Sequence, residues 1–381
     1  MEEIKVGKTF SGVVKDLASD GRGVVTHPQG RTFFVPGVWL GETGEFRIAG
    51  LKGRIGFAEV ITLEESSRHT KRVDAPCPHH GHCGGCPWQF IEYGEQLAAK
   101  QARVEQAMRR LGCDSKVLPI IPSSKSLAYR NRAQLKTDGN NIGYMAVNSN
   151  RLVGVESCPI LSEKNQSTLA GLLAQLPNRQ WKPEGKHKWI TLDIDESVDA
   201  ETASINSRLP FQQGNSEQNK KMCDWLSAGL GRLEEGKTVL ELFCGSGNLT
   251  EVIARSGAKQ VFAVEVVEAA VDQLKHKKLE MVLPIICNLF SEQGAESLLP
   301  LVKQAEVLVL DPPREGLKIS SPLFSRRSAI RSVFYISCDL ATFGRDLAEF
   351  IKNGFRLKDV QPLDMFPHTP HIELMAELYR N

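Results

Sequence analysis

The apolar run SVFYISC (332–338) reads as a buried strand that ends in a thiol, Cys338. A thiolate there can add to an electrophilic carbon, the opening step of covalent catalysis. Farther along, MFPHTPHIELM (365–375) presents Glu373 just before the last strand-like segment, where a carboxylate can take up a proton. Each residue alone has a plainer reading. A cysteine ending a buried strand is usually inert packing, and a lone glutamate is usually a solvated edge charge. His368, His371 and Glu373 also have the residue types of a small metal site. What lifts Cys338 and Glu373 above those readings is the series of strand ends around them.

TVLELF (238–243) opens into Cys244, Gly245, Ser246, Gly247 and Asn248, a loop whose small residues let backbone approach a ligand. VFAVE ends in Glu265, MVLPIICN in Asn288 and VLVLD in Asp311. Open α/β sheets bind ligands at the carboxyl ends of their strands, so these ends and Cys338 are expected on one rim. Glu265, about 20 residues past the loop, suits the hydroxyls of a ribose. Asn288 suits an adenine edge. The loop is not G-x-G-x-x-G, which argues against a nicotinamide cofactor. GSGN with a downstream acid fits S-adenosylmethionine, with Asp311 near the methyl-bearing sulfonium. The plain alternative is a row of strand caps and turns.

A methyl donor beside a thiol and a base matches one problem in pyrimidine chemistry. Carbon 5 of uracil is too poor a nucleophile to accept a methyl group unaided. A thiolate adding at carbon 6 creates an enolate whose carbon 5 can attack. A base must then remove the carbon-5 proton so that the thiol can leave. The helical stretch LATFGRDLAEFI after Cys338 is expected to aim its N-terminus at the sulfur and lower its pKa. Methylation of a base amino group is a competitor, since such enzymes also carry an acid or amide before two prolines. They usually follow with an aromatic residue, where this chain has Arg314.

A second cluster lies upstream. CPHHGHCGGC carries Cys77, Cys83 and Cys86, and SCPIL supplies Cys158. Short glycine-rich spacers let three thiolates converge with a distant fourth on an iron–sulfur cubane. Zinc is equally served by four thiolates, or by His79, His80 or His82 replacing one. A loop of unligated thiols is the plain alternative. With either metal the expected role is structural, pinning the segment near 80 to that near 158.

These sites need elements to position them. A chain of 381 residues can hold two or three domains, and 41% hydrophobic with 24% charged residues is ordinary for a globular protein. A net charge of +2 announces no nucleic-acid partner, so any basic footprint must be local. The start, MEEIKVGK, does not read as a signal peptide, and no apolar run is long enough to span a bilayer. Nine cysteines without an export signal argue against a disulfide framework, and the chain reads as cytoplasmic. Residues 1–63 show short alternating stretches broken by glycines, which suits a small barrel of the oligonucleotide-binding kind or an SH3-like packing module. Residues 64–205 form the expected central, mixed domain. In it YGEQLAAKQARVEQAMRRLG (93–112) reads as a helix with Leu97, Val104, Met108 and Leu111 on one stripe and Lys100, Arg103, Arg109 and Arg110 mostly elsewhere. That helix is a candidate to pack on the catalytic domain. From 206 to 381 strands alternate with helices, the pattern of an α/β domain.

FQQGN (211–215), ELFCGSGN, DPPR, YISCDLAT and DMFPHTPHIE resemble, in this order, the motifs of the RNA (uracil-C5)-methyltransferase family. The resemblance covers nearly the whole chain. It implies a Rossmann-like, S-adenosylmethionine-dependent methyltransferase domain, an N-terminal OB-like TRAM barrel and a central α+β iron–sulfur domain. It implies Cys338 as nucleophile and Glu373 as base. Gln213, Phe243, Asn248, Glu265, Asn288 and Asp311 are implied around the cofactor or target base, with Gly245 and Gly247 in the loop. Cys77, Cys83, Cys86 and Cys158 are implied as ligands of a [4Fe-4S] cluster. One departure stands out: the family often reads Asn-Pro after the nucleophile, and this chain has Asp339-Leu340.

Basic residues for RNA phosphates gather in RHTKR (68–72), the 93–112 helix, YRNRAQLK (129–136) and SRRSAIR (325–331), with Tyr129 to Arg132 expected to guide an extruded base. In the resembled family, barrel and cluster usually accompany ribosomal RNA targets. The expected partner is therefore 23S ribosomal RNA, acted on by a monomer. The alternatives are a transfer RNA T-loop uridine, or a non-catalytic RNA-remodelling protein. A radical methylthiotransferase would need C-x3-C-x2-C, whereas this chain has C-x5-C-x2-C.

Overall fold

Alternation of inward and outward side chains builds the first strands. β1 (Thr9–Leu17), β2 (Gly23–Thr26), β3 (Thr32–Val35), β4 (Thr43–Lys52) and β5 (Ile55–Leu63) close into a barrel in the order β1-β2-β3-β5-β4. Phe10, Val14, Val25, Phe33, Val35, Phe46 and Ile48 fill it. At Gly56 a Cβ would lie 2.3 Å from the Phe33 ring, so close packing of the interior requires glycine there. The computed structural model describes residues 4–113, 116–147, 149–207, 211–318, 321–324 and 328–381. Residues 1–3, and residues 325–327 of the SRRSAIR patch, lie outside the described residues.

After the barrel come α1 (Tyr93–Arg110) and the short strand β6 (Lys116–Val117). Then follow β7 (Arg132–Thr137), β8 (Ile142–Met145), β9 (Leu152–Gly154), α2 (Glu163–Leu173) and β10 (Ile190–Asp195). The four strands form an antiparallel sheet in the order β10-β7-β8-β9. Ser162 caps α2 by accepting from the Asn165 amide. Leu169 and Leu172 on its inner face pack with Leu135, Leu192 and Ile194 of the sheet.

The remaining elements are α3 (Ser216–Leu230), β11 (Thr238–Leu242), α4 (Asn248–Arg255), β12 (Gln260–Glu265), α5 (Glu268–His276) and β13 (Val282–Ile286). They continue with α6 (Glu292–Ser297), α7 (Leu299–Val302), β14 (Val307–Leu310), β15 (Ser332–Ser337), α8 (Leu340–Lys352), β16 (Arg356–Leu363) and β17 (Glu373–Tyr379). The chain divides into two units. One holds Met1–Ala98, Lys125–Arg208 and Phe366–His371; the other holds Ala99–Ser124, Leu209–Met365 and Ile372–Asn381.

The second unit is built on an eight-stranded sheet, β13-β12-β11-β14-β15-β17-β16-β6. β13, β12, β11, β14 and β15 run parallel; the inner runs, such as VLVL in β14, are buried on both faces, while edge strand β13 stays partly exposed. From β11 the chain proceeds outward to β12 and β13, then returns to place β14 on β11's other side. That reversal is a topological switch point, where the carboxyl ends of β11 and β14 open a crevice. β17 runs antiparallel between β15 and β16. Tyr335, Phe343, Leu347 and Phe350 join the core, where burying each large side chain contributes roughly 1.5–3 kcal/mol. No described helix is long and apolar enough to cross a membrane.

α1 differs from its sequence reading at one position. Val104 and Met108 are buried in the core of the second unit, but Lys100, expected mostly off the apolar stripe, is fully buried too. It lies three residues after Leu97 and four before Val104, on the same helical face. Its ammonium meets Asp364, also fully buried, with Nζ to Oδ1 at 2.5 Å. Around this pair Gln218 donates to the carbonyls of Asp364 (2.8 Å) and Ile121 (3.3 Å). Asn215 donates to the Ser123 hydroxyl and the Met365 carbonyl. Lys100→Met or Asp364→Asn alone is expected to cost about 3–5 kcal/mol, because each strands a charge or polar group in the core. The double change Lys100→Met/Asp364→Leu is expected to recover most of that loss in urea denaturation. Equal losses in single and double variants would refute the pairing energetics.

Candidate active site

Cys338 follows the last residue of β15, and Glu373 opens β17. The two strands pair antiparallel, with Ser337 opposite Leu374. One step farther in that register places Cys338 opposite Glu373. A nucleophile at a strand's exit and a base at the next strand's entry are thus neighbours because the strands run in opposite directions. Asp311 leaves β14, the parallel neighbour of β15, at the same edge.

Electrostatics tie the three groups together. Burial pushes the Cys338 thiol up to about 12, with the charges of Glu373 and Asp311 adding to the rise and Arg314 opposing it. This corrects the expectation of a lowered thiol. α8 does begin after Cys338, but its N-terminal amides are taken by Asp339, whose Oδ1 accepts from Ala341 (3.0 Å) and Thr342 (2.9 Å). Asp339 is therefore a helix cap, which is what the Asp-Leu departure does at this turn. Burial raises Asp311 to about 7, and burial with Asp311's charge holds Glu373 well above the carboxylate range. Two acids this close and this dry do not both ionise readily.

The glycine loop has alternating left-handed residues: Phe243 at φ 62°, Gly245 at 53° and Gly247 at 92°. For Phe243 this conformation is strained, and such strain persists where surrounding structure fixes it. A Cβ on Gly245 would enter open space, so the loop presents bare backbone there, as a cradle for a ligand requires. Glu265 turns toward this loop, accepting from the Gly245 amide at 3.1 Å and, through its other oxygen, from Val266 and Val267. Asn248 exchanges two amide hydrogen bonds of 2.9 Å with Asn219 of α3. Gln213 lies two residues before Asn215, the cap of that same helix. Asn288, past the end of β13, accepts from the Phe290 amide. Phe243, Gly245, Gly247, Asn248, Glu265 and Asn288 follow the ends of β11, β12 and β13 at the carboxyl edge of the sheet, and the loop and acid fit an adenosyl cofactor.

Three groups at this edge escaped the sequence reading. Glu241 in β11 is 1% exposed, and the neighbouring Thr250 hydroxyl of α4 only partly offsets its burial. Burial raises it to about 8, with Asp311's charge pushing the same way. Its signal was a charge inside the apolar strand TVLEL. Phe290 stacks on Phe243 with centroids 5.8 Å apart, and the Lys318 ammonium lies 4.6 Å from the Phe290 ring centre. No spacing rule pointed to that aromatic pair.

Cys77, Cys83, Cys86 and Cys158 line one cavity of about 110 Å³ in the first unit, with His79, His80, Arg130 and Tyr144. Burial drives Cys86 up to about 12, and burial, with Cys158 and Cys77 adding, raises Cys83. Bare thiolates are disfavoured here unless a cation compensates them. Among the described residues there is no group of three or more His, Cys, Asp or Glu side chains placed to hold a metal ion.

Two expected phosphate-binding patches serve internal contacts. In YRNRAQLK, Tyr129 is buried and donates to the Pro367 carbonyl, and Arg132 pairs with the buried Asp193 at 2.6 Å. In RHTKR, Arg72 pairs with the buried Glu42, whereas Lys71 with Glu92 and Arg68 with Glu65 are exposed surface pairs.

Comparison with known proteins adds a family context. The family model described as tRNA (Uracil-5-)-methyltransferase matches residues 202–282. The chain is 40% identical to an uncharacterized RNA methyltransferase of Nitrosomonas europaea, over 98% of this chain and 97% of that protein. It is 28% identical to the 23S rRNA (uracil(1939)-C(5))-methyltransferase RlmD of Pseudomonas fluorescens, over 98% of this chain and 95% of that one. The fold matches that of Pyrococcus abyssi tRNA (uracil-54, C5)-methyltransferase, solved with S-adenosyl-L-homocysteine. That match has a TM-score of 0.69 and 22% identity, covering 97% of this chain and 99% of the other.

The buried acid makes stability depend on pH. Glu241 is held at about 8 in the folded chain, against roughly 4.3 unfolded. The native state therefore binds the proton more tightly, and the resulting stability is present below the unfolded value and lost as pH climbs through about 8. Glu241→Gln is expected to be near neutral at about pH 5 and stabilising on the order of 3 kcal/mol at about pH 9. Urea midpoints of variant and parent that stay parallel across this range would contradict it.

Proposed function

The chain belongs to the RNA (uracil-C5)-methyltransferase family, and from that membership we propose that it methylates carbon 5 of a uridine in 23S ribosomal RNA. The relatives named for 23S ribosomal RNA are 28% and 29% identical to this chain, against 22% for the transfer RNA methyltransferase structure, which supports that substrate over transfer RNA. The observation that carries the reaction is the pairing of β15 with β17, which sets Cys338 and Glu373 across from one another beside Asp311.

S-adenosylmethionine, when bound, supplies an electrophilic methyl group at the rim. Gln213, Phe243, Gly245, Gly247, Asn248, Glu265, Asn288 and Asp311 would hold it or the target base, with Glu265 suited to the ribose hydroxyls and Asn288 to the adenine. The target uridine must leave its stack to reach this edge. Cys338, as its thiolate, forms a bond from sulfur to carbon 6, and the electron pair of the 5,6 double bond moves into the enolate. Carbon 5 would then attack the methyl group that a bound S-adenosylmethionine supplies, the methyl–sulfonium bond breaking to leave a neutral thioether. Glu373 removes the proton from carbon 5, the double bond re-forms, and the carbon–sulfur bond breaks to return the thiolate. Protein dipoles at this dry edge act on the enolate without competition from water.

Cys77, Cys83, Cys86 and Cys158 would hold a [4Fe-4S] cluster, which would compensate the thiolates that the cavity otherwise penalises. Its role would be structural, joining the segment near 80 to that near 158. The enzyme would work in the cytoplasm as a monomer, with the barrel as an RNA-binding TRAM domain.

Two tests bear on this reading. Glu373→Gln, incubated with S-adenosylmethionine and 23S ribosomal RNA, is expected to accumulate a covalent protein–RNA adduct on denaturing gels, because the last proton cannot be removed. Cys338→Ala is expected to form none and to lose at least about 10³-fold in methyl transfer. Full turnover by Cys338→Ala would reject the mechanism. Protein isolated without oxygen is expected to be brown and to contain iron and sulfide, with Cys86→Ser losing the colour. Zinc in elemental analysis, and no colour, would reassign the cysteines.

A further inference from the structure

The outer face of the barrel carries a cluster that neither the methyl-transfer edge nor the cysteine cavity uses. In β3 and β5 every second side chain enters the barrel, where Phe33 is fully buried and Ala58 is 2% exposed. Phe34 and Phe57 therefore point outward. The two strands are parallel and pair Phe34 directly with Phe57, so the rings stand side by side with centroids 6.3 Å apart. Arg22, just ahead of β2, sets its guanidinium 5.2 Å from one ring centre and 5.0 Å from the other. Asp20 grips Arg22 Nε at 2.9 Å, which holds the guanidinium over the rings instead of letting it swing in water. None of the three side chains belongs to the barrel core.

Positive charge lies beside this cluster. The Arg31 guanidinium donates to the Gly53 carbonyl and ties the β2–β3 turn to the β4–β5 turn. Lys52 and Arg54 stand exposed on that second turn. β5 runs directly from there to Phe57, so the cations and the rings share one stretch of sheet. Two aromatic faces with a guanidinium across them accept flat, electron-rich rings, and neighbouring cations accept phosphates. A duplex cannot use such a surface, since its bases are already stacked on each other.

We propose that Phe34, Phe57 and Arg22 form a stacking platform for unpaired bases of the RNA substrate, with Lys52 and Arg54 holding its phosphates. The platform rests on the reading of RNA as the substrate. It binds nucleotides other than the uridine that is methylated, and it deepens the role of the barrel from a basic surface to a base-binding one.

The experiment uses the full-length protein and a short, unstructured, purine-rich RNA with a fluorescent end label. Phe34→Thr/Phe57→Thr keeps β-forming residues at both positions and spares the core. It is expected to weaken binding about tenfold or more and to leave S-adenosylmethionine binding by calorimetry unchanged. Phe34→Tyr/Phe57→Tyr is expected to bind like the parent. Lys52→Gln/Arg54→Gln is expected to lower the salt dependence of binding, whereas the Thr pair leaves that slope intact. Parental affinity in the Thr pair, or equal loss in the Tyr pair, overturns the platform. Methyl transfer by the parent to 23S ribosomal RNA is measured alongside. Transfer with a Thr pair that binds normally defeats the platform alone. Absence of transfer with ring-dependent binding defeats the proposed activity and leaves the platform supported.

Discussion

The antiparallel entry of β17 beside β15 is the constraint on which the rest of the site depends. In a purely parallel sheet, every strand delivers its last residue to the carboxyl edge and its first to the opposite edge. A base at the start of a strand would then lie a full sheet width from a thiol at the end of its neighbour. Reversing one strand brings Glu373, an initial residue, to the edge where Cys338 and Asp311 are final residues. The strand pairing fixes this through backbone hydrogen bonds. Leu363 of β16 pairs with Glu373 from the other side, which restrains the base from both flanks.

That edge gathers acidity in a poorly hydrated place. Asp311 at about 7 and Glu241 at about 8 both hold protons more tightly than a solvated carboxyl, and Glu373 is raised well above the carboxylate range. Cys338 at about 12 is a thiol in this environment. Each value is driven first by burial, so each would fall when a positive charge enters. A cationic methyl donor is such a charge. The same arrangement that leaves the resting groups protonated therefore favours their ionised forms once a cation occupies the edge. Arg314 is the protein's own contribution in that direction.

Much of this frame was legible because fully buried parallel strands are written as continuous apolar runs. VLVL and SVFYIS could be read as strands, and the polar residue closing each run marks the edge. The barrel was legible through alternation and glycine spacing. Contacts made by distant segments were not. Nothing near Lys100 announces Asp364, and a charged residue on an apolar helical stripe is usually solvated. The raised thiol of Cys338 was missed because its burial and the nearby charges of Glu373 and Asp311 come from distant segments, and because Asp339 fills the helix amides that could have opposed them. Likewise Arg132 reads as a phosphate ligand until Asp193 is found opposite it.

The Lys100–Asp364 pair explains how a long return loop can deliver a base accurately. Between Asp364 and Glu373 the chain passes through Phe366–His371, which belong to the first unit, before returning to the second unit at Ile372 and the sheet at Glu373. A loop of that length would lose register unless its departure were fixed. The buried ion pair, with Gln218 on the Asp364 carbonyl and Asn215 on that of Met365, fixes the departure. An apolar pair would fill the same space at lower desolvation cost, but it would not specify which residue leaves the sheet. Directional hydrogen bonds do, and the same Asn215 caps the helix that follows the Gln213 segment. One buried polar network thus sets the start of the segment that brings in the base and the start of the helix at the cofactor loop, so a change there should disturb both together.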